Sequence, residues 1–194
     1  MRNSKLLFLA FFFIGGTWAF EACNNGEQKT SSEGVEAAKE ANDTSSVVAV
    51  DEADMNFAVK AADGSLAEVE MGKLGQEKAT NPSIKEFAGM VVTDHSKANE
   101  ELKTLATVKG IKLPLVVSED HQHHLTDLTQ TKANDFDKAY VDMMVEDHQK
   151  DVELFEEQAK NGKDAELKTF AVNTLPTLRK HLDAAKALKE NLKK

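Results

Sequence analysis

The sequence has very little cysteine, proline and tryptophan, and each shortage excludes a class of protein. A single cysteine, Cys23, cannot form an internal disulfide, so the chain is not a disulfide-stabilised scaffold. Three prolines in 194 residues leave long stretches without a helix breaker. The only tryptophan, Trp18, lies near the amino terminus and leaves one tyrosine for the rest of the chain, which argues against an aromatic ligand platform.

Basic residues are also in the minority. The chain has 24 Lys and Arg against 33 Asp and Glu, which gives a net charge of -9. Binding to nucleic acid requires a basic surface that displaces counterions from phosphates. We therefore expect no nucleic-acid partner.

Residues 1–22 have the pattern of an export signal peptide. Arg2 and Lys5 precede the apolar run LLFLAFFFIGG, and small and polar residues follow it. The run has roughly a dozen apolar residues, whereas a membrane-spanning helix needs about 20. The segment therefore predicts export and removal of the leader.

Cys23 follows this segment directly and resembles the lipidated cysteine of bacterial lipoproteins. Ala22 suits the position before such a cysteine, whereas Phe20 and Glu21 depart from the usual residues. We expect a lipid anchor at Cys23 that holds the protein in the cell envelope, at the outer membrane facing the periplasm. The alternative is ordinary cleavage after Ala19, which leaves a free thiol.

Two further segments follow the leader. Residues 23–50 are small, polar and acidic, and they predict a flexible tether behind the lipidated cysteine. A short frayed helix around residues 35–41 is the alternative. The helical period begins at Asp51, so residues 51–194 are expected to form one domain.

The pattern of residues 51–194 predicts an all-α domain of four long helices. Apolar residues recur with a period of 3.6, and Asn81-Pro82, Gly110 and Asn161-Gly162 mark helix boundaries. The predicted helices cover residues 52–79, 82–109, 133–160 and 163–192. Residues 110–132 between the second and third helices are predicted as a long connection.

Two internal repeats relate these helices. MVVTDHSKANEEL at residues 90–102 resembles MMVEDHQKDVELF 53 positions later, at residues 143–155. Residues 69–88 also match residues 152–171 at an offset of 83, which pairs the helices as two hairpins. Two hairpins joined by a long link are typical of a ferritin-like four-helix bundle.

Three histidines lie on the apolar stripes of three helices, each near mid-length: His95, His148 and His181. Glu68 and Glu70 lie at similar height on the first helix, and the repeat register favours Glu70 without deciding between them. Imidazoles and a carboxylate inside a bundle are typical ligands of a transition metal such as Fe, Cu, Mn or Zn. The alternative is that each histidine is satisfied by a hydrogen bond and binds no metal.

The pattern departs from a ferritin-type di-iron site. Such a site needs Glu-x-x-His on two helices, but Val92, Val145 and Leu178 stand three residues before the histidines. This departure leads us to lean against an enzyme.

Other polar residues flank the histidines. Asp94 and Asp147 each precede one of them and are either outer hydrogen-bond partners or solvated charges. His121, His123 and His124 lie in the predicted connection, where we expect them to be solvated. Weak chelation of a surface metal is the alternative for this cluster.

Several ordered motifs together resemble one bacterial family. They are Ala67-Glu68-Val69-Glu70-x-Gly72-Lys73-Leu74, Asn81-Pro82, Phe87-Ala88-x-Met90-Val91-x-x-Asp94-His95, Phe136-Asp137-x-x-Tyr140, Asp147-His148 and Thr174-Leu175-Pro176-x-Leu178-Arg179-x-His181-Leu182. Over residues 51–192 the chain resembles the domain-of-unknown-function 4142 family, often labelled "predicted outer membrane protein". The resemblance implies a ferritin-like four-helix domain in an exported protein and brings no established reaction.

We therefore expect a cell-envelope lipoprotein of unknown biochemical role that carries a ferritin-like domain, with a metal site in its mid-bundle layer as the central hypothesis. Two other interpretations stay open. One is a metal-dependent oxidoreductase or metal-storage protein. The other is a structural or interaction module in which the histidines form a closed hydrogen-bonded network.

Overall fold

The computed structural model describes residues 34–43 and 50–193. The predicted leader and Cys23 lie outside these residues. The described helices are α1 (Val35–Asp43), α2 (Glu52–Lys78), α3 (Pro82–Lys109), α4 (Glu119–Gln130), α5 (Ala133–Asn161) and α6 (Ala165–Asn191). The described part of the chain contains no strand, which confirms the predicted all-α class.

The four long helices form two hairpins. α2 packs chiefly against α3, and α5 packs chiefly against α6. The hairpins meet where α2 contacts α5 and α3 contacts α6. This arrangement confirms the predicted four-helix bundle with a long connection between its second and third helices, and each predicted helix end lies within two residues of the observed one.

Capping residues account for these boundaries. The side chain of Asp51 accepts a hydrogen bond from the Ala53 amide at the start of α2, and Asn81 does the same for Ser83 at the start of α3. Gly110 ends α3 in the left-handed conformation, with φ of 72°. The ends of the helices are therefore determined locally.

The sequence predicted residues 110–132 as a connection without a helix. Part of this connection between the hairpins is helical. Residues 119–130 form α4, and the side chain of Ser118 accepts a hydrogen bond from the His121 amide at its start. α4 packs on α2 and α5. The three clustered histidines therefore lie on a helix that covers the bundle.

The prediction of a flexible tether is wrong for residues 34–43. Val35–Asp43 forms α1, as the alternative interpretation proposed, and packs against α2. Asn42 exchanges two hydrogen bonds with the backbone of Lys112, at 2.8 and 3.1 Å. Residues 23–33 and 44–49 of the predicted tether lie outside the described residues.

The core is divided into two apolar clusters. Phe57, Phe155 and Phe170 pack together in one of them, and Phe57 and Phe155 have ring centroids 5.0 Å apart. Phe136 and Tyr140 stack in the other, with ring centroids 5.9 Å apart. Between the two clusters each long helix contributes a buried polar side chain, namely Glu68, His95, His148 and His181.

No helix in the described part of the chain combines the length and the apolarity needed to cross a membrane.

Candidate metal centre

A layer of four buried side chains lies between the apolar clusters, with one contributed by each long helix. Glu68 from α2 is 1% exposed, His95 from α3 is 3% exposed, and His148 from α5 and His181 from α6 are fully buried. The structure thus brings together the three histidines that the sequence predicted to converge.

Glu68 bridges two of the rings. Its Oε2 lies 2.9 Å from His95 Nδ1, and its Oε1 lies 3.0 Å from His148 Nδ1. Neither approach has the alignment of a hydrogen bond. The Glu68 carboxyl also lies beside the carboxyl of Asp151 and shares a hydrogen bond with it. The layer therefore contains carboxyl oxygens that can compensate a positive charge.

Glu70 is not part of this layer, although the repeat register favoured it. Its side chain is 53% exposed and accepts a hydrogen bond of 2.7 Å from Lys73, three residues along the same helix. The inward carboxylate of α2 is therefore Glu68.

The three imidazoles lie close to one another. Each offers a ring nitrogen within 4.8 Å of those of the other two. His148 Nε2 and His181 Nδ1 are 3.3 Å apart. Two nitrogen atoms bound to one ion at about 2.0–2.1 Å lie at a separation comparable to that of this pair.

The other nitrogens of two rings contact oxygen acceptors. His148 Nδ1 lies 2.9 Å from the Met144 carbonyl oxygen, and His181 Nε2 lies 2.9 Å from Asp94 Oδ2. Asp94 is thus an outer hydrogen-bond partner of the layer, one of the two roles considered for it. Oxygen acceptors on the outer nitrogens are typical of histidines that bind metal.

His95 is held differently. Its Nδ1 lies 3.3 Å from the Ser65 hydroxyl, whose own proton is donated to the His95 carbonyl at 3.2 Å. Its Nε2 is buried and has no hydrogen-bond partner within the described part of the chain. This nitrogen is therefore free to bind a ligand.

Burial controls the charge of the layer. Desolvation lowers the pKa of all three histidines, and the neighbouring rings lower that of His148 further, to well below its usual range. Desolvation also raises the pKa of Glu68 to about 8, with a smaller contribution from the charge of Asp147. The imidazoles are consequently neutral near pH 7, with lone pairs available for a cation.

Asp151 is a further candidate that the sequence analysis missed. Together with Glu68 and His95 it forms a second group whose potential ligand atoms lie within 4.8 Å of one another. Burial and the adjacent charge of Glu68 raise the pKa of the Asp151 carboxyl well above its usual range. Its spacing of three residues after His148 was the available signal, since such residues share a helix face.

Asp147 lies outside the histidine layer. It faces a cleft of about 630 Å³ between α2, α4 and α5, where its Oδ2 lies 3.7 Å from His124 Nδ1. His121 in the same cleft is bonded to Asp63, with Nδ1 and Oδ2 2.8 Å apart. His123 remains exposed, as predicted, whereas His121 and His124 are partly buried.

Comparison with known proteins assigns the family. The pattern of the family described as "Domain of unknown function (DUF4142)" matches residues 37–188. The chain belongs to this family. The resemblance seen in the sequence motifs is thereby confirmed. No curated protein matches this DUF4142 chain.

Solved structures share the fold of this DUF4142 domain. A DUF305 fragment from Deinococcus radiodurans has a TM-score of 0.65 at 10% identity, and the match covers 73% of this chain and 98% of that one. CopM in its Cu(II)-bound form has a TM-score of 0.62 at 18% identity, with 72% of this chain and 97% of that one covered. CopM co-crystallised with Ag has a TM-score of 0.59 at 18% identity and covers 71% and 96%. At such identities the likeness shows the fold alone.

Proposed function

We propose that the mid-bundle layer binds one transition-metal ion through His95, His148 and His181, with Glu68 as the adjacent carboxylate. The observation that carries this proposal is the 3.3 Å approach of His148 Nε2 to His181 Nδ1, while the opposite nitrogen of each ring faces an oxygen acceptor.

The hydrogen count explains why this approach favours a cation. A neutral imidazole has one N–H and one lone pair. The Met144 carbonyl and the Asp94 carboxylate accept the protons of His148 Nδ1 and His181 Nε2. With this arrangement of protons the facing nitrogens present two lone pairs to each other, and a positive charge between them makes the contact favourable.

A metal ion fits this position better than an added proton. A proton shared between the two nitrogens engages only His148 and His181, with Asp94 as its counterion, and leaves His95 Nε2 without a partner in the described residues. Nitrogens separated in this way and bound at about 2.0–2.1 Å subtend a roughly tetrahedral angle at the ion. A ring nitrogen of His95 supplies a third ligand. The nearby carboxylates offset the charge of the ion.

The ligand chemistry limits the choice of metal. Imidazole nitrogen suits Cu, Zn and Fe, and affinity for a site of this kind rises from Mn²⁺ to Cu²⁺ and falls again at Zn²⁺. The solved structures of CopM, which shares the fold, are described as bound to Cu(II), Cu(I) and Ag. We propose Cu²⁺ or Zn²⁺ as the ion, in a binding role rather than a catalytic one.

The rival function is a structural or interaction module. The same contacts would then form a closed network through His148, His181 and Asp94 with an additional proton. Elemental analysis separates the two hypotheses, using full-length protein purified in mild detergent without a polyhistidine tag and loaded with Cu²⁺ or Zn²⁺.

We expect stoichiometric metal in the wild type and the loss of one tightly bound ion in a His95→Ala, His148→Ala variant that keeps its helical circular dichroism. His123→Gln is the matched control, because this side chain is 72% exposed and lies outside the layer. Absence of tightly bound metal from the wild type after loading with either ion would disprove the proposal and favour the network.

We also propose that the protein is exported and anchored to the outer membrane, facing the periplasm, through a lipid on Cys23. The leader pattern of residues 1–22 and the cysteine that follows support this proposal. Cys23→Ser should release the protein from the membrane fraction into the soluble periplasmic fraction. Unchanged membrane association would count against lipidation.

A further inference from the structure

The cleft between α2, α4 and α5 reaches from solvent to the histidine layer. Exposed His123 lies at its outer side, and buried Glu68 lies at its inner side. The cleft has a volume of about 630 Å³ and is lined mainly by charged and imidazole side chains. It is therefore the route by which a hydrated ion would reach Glu68.

Asp147 is a buried carboxylate of this cleft that lacks hydrogen bonds. Its side chain is 5% exposed, yet neither of its carboxylate oxygens has a hydrogen-bond partner in the described ranges. His124 Nδ1, also without a partner there, is 3.7 Å from Asp147 Oδ2. Burying a carboxylate without a hydrogen bond is destabilising by roughly several kcal/mol.

The distance between these atoms fits a shared ion better than a direct bond. A separation of 3.7 Å is too long for a hydrogen bond. Two ligand atoms at about 2.0–2.2 Å from one ion lie roughly 3–4 Å apart. Lys150 Nζ is the nearest lysine, at 3.8 Å from Asp147 Oδ1, but it is exposed and donates its hydrogen bond of 2.7 Å to Glu146.

The cleft is lined by carboxyl oxygens, a ligand type that binds cations. They belong to Asp63, Glu68, Asp120, Asp147 and Asp151, and the ammonium groups of Lys60 and Lys150 lie in the same lining. Asp63 is already paired with His121, and burial raises the pKa of the Glu68 and Asp151 carboxyls. Asp120 and Asp147 are the remaining carboxylates of the cleft.

We propose that Asp147 and His124 form a second, outer site that captures a divalent transition-metal ion from solvent and delivers it to the histidine layer. Asp151 and Glu68 connect the two sites, because both line the cleft and both group with His95 within 4.8 Å. The delivery step rests on the proposed function of the layer, whereas capture at the outer site does not.

Binding of Co²⁺ to the full-length protein tests this proposal. Equilibrium dialysis counts the ions at saturation, and stopped-flow absorbance measures the rate of loading. The outer variant is Asp147→Asn with His124→Gln, and the inner variant is His148→Gln with His181→Gln. Asp127→Asn is the matched control, since it removes an exposed carboxylate from the same helix outside the cleft.

We expect the wild type and the control to bind two ions, and each of the two variants to bind one. The outer variant should also load its remaining ion at least roughly tenfold more slowly, since it lacks the charge that concentrates cations in the cleft. Circular dichroism spectra establish that both variants keep the helical fold.

Three other outcomes would contradict the outer site, the proposed function or both. An outer variant that binds as many ions as the wild type at the same rate would overturn the outer site and leave the proposed function intact. A wild type that binds one ion, retained in the inner variant and lost in the outer one, would support capture but contradict the proposed function. Absence of Co²⁺ binding in the wild type would contradict both.

Discussion

His181 Nε2 lies 2.9 Å from Asp94 Oδ2, which joins a fully buried ring on α6 to a partly exposed carboxylate on α3. The contact orients the imidazole so that its Nδ1 faces His148 Nε2 at 3.3 Å. Asp94 therefore acts on the histidine layer from outside it.

The first prediction concerns this positioning residue. Asp94→Asn should weaken Cu²⁺ or Zn²⁺ binding by about 10–100-fold, because a neutral amide holds the N–H at His181 Nε2 less strongly than a carboxylate does. Titration against a competing chelator measures the change. Asp183→Asn is the matched control, since Asp183 is exposed two residues after His181 and should leave affinity unchanged. Equal losses in the two variants would contradict a specific role for Asp94.

The second prediction is that Asp147→Asn stabilises the metal-free protein. Removal of a buried charge that accepts no hydrogen bond should raise the free energy of unfolding by about 1 kcal/mol or more. Urea denaturation in the presence of a chelator measures it. Asp142→Asn should have the opposite effect, because Asp142 accepts from Lys138 at 2.6 Å and contacts Lys189 at 2.7 Å. A destabilised Asp147→Asn variant would mean that the carboxylate has favourable partners.

The third prediction concerns the close approach of α2 to α3 and α5 at Gly75. A Cβ built there would lie 2.7 Å from Tyr140 Cζ and 3.0 Å from Ala88 Cβ, so Gly75→Ala forces α2 away from its neighbours. We expect a loss of about 1–3 kcal/mol of stability. Gly89→Ala meets only the flexible end of Gln76 at 3.0 Å and should be neutral or stabilising by up to about 1 kcal/mol. Thermal denaturation of both variants measures these changes. A Gly89→Ala variant that is less stable than the Gly75→Ala variant would contradict the prediction.

The fourth prediction is a pH dependence of the Asp63–His121 pair. Burial alone would raise the pKa of Asp63 and lower that of His121, but their mutual hydrogen bond and charge outweigh burial and shift both in the opposite directions. The histidine contribution is full below pH 6.5 and is lost as pH rises through the raised pKa of His121. The aspartate contribution is present above about pH 4 and is lost as pH falls through the lowered pKa of Asp63.

The coupling energy of this pair should therefore be largest between about pH 4 and 6.5, on the order of 1 kcal/mol, and smaller at pH 8.5. A double-mutant cycle with Asp63→Asn and His121→Gln, measured by urea denaturation with chelator present at pH 5.5 and 8.5, provides the test. A coupling energy that does not change with pH would show that the pair is not an ion pair.

The sequence predicted the helices well because their signals are local. Caps such as Asp51 and Asn81 and the stop at Gly110 act within one helical turn, and the apolar period of 3.6 needs no partner to be recognised. The same period put His95, His148 and His181 on inward stripes, where the structure has them.

The apolar period did not predict which residues of α2 are buried, because this helix is covered on most of its sides. α2 contacts α1, α3, α4 and α5, so residues around much of its circumference are buried, including Asp63, Ser65 and Glu68. Its apolar and polar residues consequently do not separate into two faces, and the repeat register favoured Glu70 over the inward Glu68. No local signal reports how many neighbours a helix will have.

α4 was missed for a related reason. Its sequence EDHQHHLTDLTQ has few apolar residues, and Leu128 is its buried anchor against the bundle. A short polar helix is marginal by itself and gains its stability from packing. Its position over α2 and α5 creates the cleft and turns His124 toward Asp147.

The amino-acid sequence by itself determined the four long helices, their ends and the height of the three histidines, because propensity, capping and periodicity act over a few residues. Only the tertiary structure decided which carboxylates join them. In the structure Glu68 rather than Glu70 points inward, Asp94 contacts His181, and Asp151 lies beside Glu68 and His95. These contacts depend on the rotation and spacing of helices that are distant in the chain.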